Sequence, residues 1–186
     1  MKVVKFGGSS LASATQLEKV FNIVKEDETR QYVVVSAPGK RNAEDTKVTD
    51  ALIKYYKEYT NGKDTSQSQE WIINRYRSIT EDLELNEEII EEIARDIMSL
   101  ATLPKSDNTF LYDTFLAAGE NNNAKLIAAY FVKKGLEAKY IHPKDAGIFV
   151  TSEPCNARIL PSSYDKIEEL RNHNEILVIP GFFGIT

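Results

Sequence analysis

Residues 31–37 read QYVVVSA, an apolar run with no polar residue at every second position. A strand with one wet face alternates apolar and polar side chains. A strand without that alternation is buried on both faces, as in a parallel sheet covered by helices. The preceding residues supply the partner that such a sheet needs. Residues 2–6 (KVVKF) form a short β-rich run ended by Gly7 and Gly8. Between the two runs, Ser13 and Gln16 stand at capping-box spacing, and Leu17, Val20, Phe21 and Val24 fall at i, i+3, i+4 and i+7. That pattern predicts a helix with one buried stripe. Strand, helix and strand within about 35 residues make a βαβ unit.

The remainder extends the pattern. Residues 38–47 are polar and loop-like, and 48–59 read as a second helix. The stretch 60–69 (TNGKDTSQSQ) is the best linker candidate, though short. Helical periodicity follows over 70–79 and 86–101. In the second of these, Ile89, Ile93, Ile97 and Leu100 make a stripe, and Asn86 is placed to cap. The acidic run 81–96 fits a solvated helix face. Residues 112–134 are helical in pattern, with Gly135 as C-cap; Gly119 is expected to break that helix and Glu120 to restart it. Strands are expected at 138–142, 148–151 and 176–180, and a short helix at 163–172. Alternating β and α segments predict an α/β fold, a three-layer sandwich with a mostly parallel central sheet. Strand order does not follow from these patterns.

Composition excludes several classes. Lys and Arg number 23 against 28 Asp and Glu, a net charge of −5, which argues weakly against a nucleic-acid partner. The lone Cys155 cannot close an intramolecular disulfide, and no secretory leader is visible, so a cytoplasmic setting is the expectation. The longest apolar run near the C-terminus, 176–185, is too short to span a bilayer. His142 and His173 lack metal-ligand spacing with each other or with Cys155, so no metal site is assigned.

Three segments can carry chemistry. Lys5-Phe6-Gly7-Gly8-Ser9-Ser10 lies between a strand and a helix. Free N–H groups there form an anion-binding nest, glycines let backbone approach a ligand, and Lys5 adds a cation for phosphate. It is neither a Walker A loop nor a dinucleotide fingerprint, and a tight turn with a surface lysine explains the spacing equally well. Ser36-Ala37-Pro38-Gly39 ends the second strand, and Thr49 opens the next helix, where hydroxyl and N–H groups suit a carboxylate. An ordinary N-cap is the plainer explanation for Thr49. Gly119-Glu120 precedes Asn121-Asn122-Asn123. A carboxylate there can pair with a ligand ammonium, or simply favour a first helical turn.

Taken together and in order, these segments resemble aspartate kinases of the amino-acid-kinase superfamily. Lys5-Phe-Gly-Gly-Ser-Ser10 resembles the signature K-F-G-G-[ST]-S. Val35-Ser-Ala with Gly39 and Val48-Thr49-Asp50 is similar to the second loop and its threonine. Gly119-Glu120 resembles the G-E element, and Pro180-Gly-Phe-Phe-Gly184 the G-F-x-G stretch. The resemblance implies an amino-acid-kinase-like N-terminal lobe and transfer of the ATP γ-phosphate to the β-carboxylate of L-aspartate. That step opens lysine, threonine and methionine biosynthesis. It implies Lys5 as the catalytic cation, Lys5, Phe6, Gly7, Gly8 and Ser9 around the ATP phosphates, and Ser36, Thr49 and Glu120 around aspartate, with Glu120 on the α-ammonium and Thr49 on the carboxylate. Mg²⁺ arrives on ATP. A homo-oligomer is compatible with the resemblance for the full-length protein.

The chain departs from the pattern in two places. Ala117 stands where the family has a serine in S-x-G-E, and the loop before Thr49 is longer than the common form. The family also continues with a G-R-G-G-S-D segment, a nucleotide-base half and regulatory ACT domains, none of which is found in residues 1–186. The expectation is therefore an N-terminal, substrate-binding half, catalytically inactive when isolated. Two alternatives stay open: a superfamily kinase acting on glutamate, uridylate or carbamate, and a non-catalytic ligand-binding module.

Overall fold

The computed structural model describes residues 1–106 and 108–186, with no account of the side chains of residues 108 and 109. Four parallel strands form one sheet: β1 (Lys2–Phe6), β2 (Arg30–Val35), β3 (Ala138–Tyr140) and β4 (Ile176–Pro180), in spatial order β1-β2-β4-β3. The two central strands are therefore far apart in sequence, which is why the order was not legible from local pattern.

Successive side chains on a strand point to opposite faces, and here the two faces feed two cores. Val33, Val35 and Val178 join the larger one. Tyr32, Leu177 and Ile179 join the smaller, with Ile141, Ala146 and Leu170. The larger core is covered by α1 (Ala14–Lys25), α2 (Val48–Thr60), α3 (Ser66–Asp82), α4 (Glu87–Ser99) and α5 (Asn108–Lys133). On the opposite face, α6 (Ser162–Glu169) and the 3₁₀ turn Leu170–Asn172 pack through Ile167 and Leu170. This is the expected helix–sheet–helix sandwich. Its thicker helical layer buries Leu17, Leu52, Ile72, Ile93 and Phe115 completely, each worth about 1.5–3 kcal/mol of transfer free energy.

Local signals place most helix ends. Ser13 caps α1 by accepting from the Gln16 N–H, and Asn86 caps α4 by accepting from the Glu88 N–H. Beyond α5, Gly135 takes φ 88°, and the Gly135 and Leu136 N–H groups return to Val132 and Phe131 carbonyls. Residues 60–69 do not separate domains: α2 runs through Thr60, α3 begins at Ser66, and both bury their apolar sides in one core.

Two expectations fail. Residues 148–151 form no strand of the sheet. Phe149 bridges Ile185 and Val150 bridges Ile159, one isolated pair each, so the β-branched run never meets a continuous partner. The second concerns Gly119, which does not interrupt α5; the helix runs unbroken for 26 residues. Its glycine serves close packing instead, because a Cβ there would lie 2.9 Å from Ala37 Cβ and 3.1 Å from Leu52 Cδ1. Glu120 is consequently a mid-helix residue and not a first-turn one, which removes the helix-dipole explanation for it.

Candidate active site

β1, β2 and β4 all end on the same side of the sheet in small-residue loops. In open α/β sheets the crevice beyond the carboxyl ends of the strands is where ligands bind. After β1, Gly7 leads into a 3₁₀ turn, Gly8–Leu11, closed by the Ser10 N–H on the Gly7 carbonyl at 3.0 Å. The first N–H groups of such a turn have no partner within it. Gly7 has φ −82°, an ordinary conformation, and open space lies beside its Cα. So Gly7 is not required for backbone geometry. Gly8 is the constrained one. A Cβ on it would come within 2.9 Å of the Ala37 carbonyl oxygen, and one on Gly39 within 2.5 Å of the Gly8 carbonyl carbon. The two loops touch backbone to backbone, joined by the Gly39 N–H on the Gly8 carbonyl at 2.8 Å.

α5 brings Glu120 to this junction. The residue is only 8% exposed, and its carboxylate accepts the Ala37 N–H at 3.2 Å. Burial pushes its pKa above the usual glutamate value, while the Ala37 N–H and the Lys5 ammonium pull the other way. Lys5 itself is exposed at the end of β1. Tyr76, fully buried on α3, donates to the Gly119 carbonyl at 2.7 Å, and burial beside Glu120 holds its phenol far above the usual tyrosine range. The second loop is fixed by Asn123, whose side-chain amide donates to the Ser36 carbonyl at 2.6 Å, and by the Ser36 N–H on the Phe6 carbonyl.

The structure thus brings together Lys5, Gly8, Ser36 and Glu120. Phe6 is half-buried against the larger core, leaving its backbone for the loop; Ser9 is exposed within the 3₁₀ turn. Thr49 is the second residue of α2 and half-buried, with Lys47 at the N-cap position, so Thr49 does not cap. Its neighbour Val48 faces Gly119, which puts the start of α2 beside the junction. Sequence reasoning passed over Arg75, Tyr76 and Asn123, which hold the loops. Of these only Asn123 carries a sequence signal, the amide run 121–123, in which Asn122 and Asn123 are entirely buried.

A cavity of about 1230 Å³ opens beside this junction, not on it. Its walls include Asn122, Lys125, Tyr140, Gly181 and Phe182, and exclude Lys5, Gly8 and Glu120. Phe182 has φ 76° and is 73% exposed. A bulky residue in the left-handed region marks a backbone held by its surroundings. Among the described residues, no group of three or more His, Cys, Asp or Glu side chains could hold a metal ion, and no helix is long and apolar enough to cross a membrane.

A strand-end lysine, a glycine pair and a buried helical carboxylate thus meet at one end of a parallel sheet. The chain belongs to the amino acid kinase family, whose model matches residues 1–186. Among its relatives, Aspartokinase 3 of Bacillus subtilis is 52% identical over 186 residues, covering all of this chain and 41% of that protein. The Clostridium acetobutylicum aspartate kinase structure superposes with a TM-score of 0.77 at 31% identity, over 98% of this chain and 39% of that one. Escherichia coli aspartokinase III, solved with aspartate and ADP, matches at TM-score 0.74 and 20% identity over 98% of this chain and 40% of its own, a likeness of fold. The chain therefore spans about two-fifths of the length of these relatives.

Proposed function

We propose that this chain supplies the acid- and phosphate-binding part of an aspartate kinase, which transfers the ATP γ-phosphoryl group to the β-carboxylate of L-aspartate. The observation that carries this reading is the buried Glu120 carboxylate on the Ala37 N–H, within the electrostatic reach of Lys5. The relatives named above are aspartate kinases, and one of them was solved with aspartate and ADP. The nucleotide-base half and regulatory ACT domains would lie in the part of the relatives' length that this chain does not match.

The chemistry asks little of the protein in proton transfer. An aspartate side chain, with an unperturbed pKa of about 3.9, is already ionised at neutral pH. One β-carboxylate oxygen forms a bond to the γ-phosphorus as the bond from phosphorus to the β,γ-bridging oxygen breaks. ADP takes the electron pair, and the product is an acyl phosphate. No proton moves. What remains is alignment and charge stabilisation. Glu120 pairs with the substrate α-ammonium, and Thr49 and Ser36 line the carboxylate side. Backbone N–H groups at Gly7, Gly8 and Ser9 hold phosphate oxygens, with Phe6 orienting the loop. Lys5 meets the charge that develops on the transferring group. Mg²⁺ comes as the counter-ion of ATP.

The test is an acceptor panel in the full-length protein with MgATP, trapping acyl phosphate with hydroxylamine. Hydroxamate formed with L-aspartate, and not with L-glutamate or carbamate, is expected. Phosphorylation of UMP in place of aspartate would overturn the reading.

A further inference from the structure

We infer that Arg75 is a positioning residue of this site, resting on the function proposed above: its buried guanidinium ties the phosphate-binding loop to the acid-binding loop and fixes their spacing. Arg75 lies on α3, far in sequence from both loops, and is 4% exposed. Its Nη2 donates to the carbonyl oxygens of Ala12 and Gly39, both at 2.8 Å. Ala12 ends the 3₁₀ turn that begins at Gly8, and Gly39 ends the Ser36–Gly39 segment. Gly39 is thus held from two sides, by Arg75 through its carbonyl and by Gly8 through its N–H.

Asp45 is the counter-ion, 3.4 Å from Nη2 and itself 6% exposed in its side chain. Arg41 holds the same carboxylate through its backbone N–H, Nε and Nη2 at 2.8–2.9 Å. Residues 38–47 are therefore closed on themselves and anchored to α3 at a single head group.

The arrangement is poorly explained as stabilisation alone. A buried ion pair is often no better for stability than well-packed apolar side chains, and Arg75 Nε has no hydrogen-bond partner. A planar guanidinium does what an apolar residue cannot: it engages two carbonyls and a carboxylate from one point. All three contacts are made by Nη2, and the shorter lysine side chain sets its ammonium short of that position. Since a misplacement of about 1 Å can cost about 100-fold in rate, a device that sets the gap between phosphate and carboxylate loops has a direct catalytic consequence.

The test uses the 186-residue chain and its R75M, R75K and D45N variants. Amide hydrogen exchange is read at 8–12 and 39–47, with α4 as the internal reference, and L-aspartate is titrated by NMR. In R75M, exchange is expected to rise at least about tenfold in both loops together while α4 changes by less than about twofold, and aspartate binding to weaken at least about tenfold. R75K should restore less than half of either effect. Should R75M fail to fold, D45N, which keeps both carbonyl bonds, is expected to loosen 39–47 more than 8–12. Loops that exchange as in the wild type, or only in step with α4, would overturn the inference. Wild-type protein that binds no aspartate would count against the proposed function, while the exchange data would still decide whether Arg75 ties the loops.

Discussion

Replacing Glu120 by glutamine is expected to leave the melting temperature at pH 7 unchanged or higher, and to weaken L-aspartate binding by at least about 30-fold. The two halves follow from one group. Burial raises the Glu120 pKa above its ordinary value, against the pull of the Ala37 N–H and Lys5. An acid whose folded pKa exceeds its unfolded pKa binds more protons when folded. Its contribution is most favourable when protonated and declines as pH rises through the unfolded and then the folded value. Burial penalises the ionised form of this carboxylate. Glutamine removes that charge and keeps an oxygen to accept the Ala37 N–H. Any gain in stability over wild type should therefore vanish as pH falls below the usual carboxylate range. Binding behaves oppositely, because a substrate ammonium needs the charge. Thermal unfolding across pH, with calorimetric or NMR titration of aspartate, measures both. A clear loss of stability with unaltered aspartate affinity would show Glu120 to be a structural acid.

The second large effect is at Lys5. Lys5→Met should lower turnover by about 100- to 1000-fold, the range for removing one preorganised group that stabilises transition-state charge. Aspartate affinity should change by no more than about twofold. Stability should stay within about 0.5 kcal/mol, because Lys5 is exposed at the end of β1. The split between kcat and KM in the full-length protein is decisive. A rise in KM for aspartate at constant kcat would move Lys5 from the phosphoryl group to the substrate carboxylate.

Much of this arrangement was legible in the sequence, for physical reasons. Signals that act within a few residues were faithful: the Ser13 and Asn86 caps, the Gly135 exit from α5, and the unbroken apolar run of β2. Features set by distant chain were not. Gly119 reads as a helix breaker until Ala37 and Leu52 are seen packed against it. Arg75 reads as one more helix-surface arginine, because its partners Gly39 and Ala12 lie 36 and 63 residues away. The β-branched run 148–151 has strand propensity, yet finds only isolated partners in Ile159 and Ile185. In the candidate site, Lys5, the glycine pair, Ser36 and Glu120 stand out in the sequence by type and order. Their convergence on one backbone junction, and the buried Tyr76, Asn123 and Arg75 that hold it, required the fold.

The most direct measurement is a paired NMR titration of L-aspartate and succinate into this chain. Succinate keeps both carboxylates and lacks the ammonium. The Glu120 assignment predicts that L-aspartate shifts the Gly8, Ala37 and Glu120 amides, and that succinate binds at least about 30-fold more weakly. Equal binding of the two acids, or aspartate shifts confined to residues away from this junction, would contradict it.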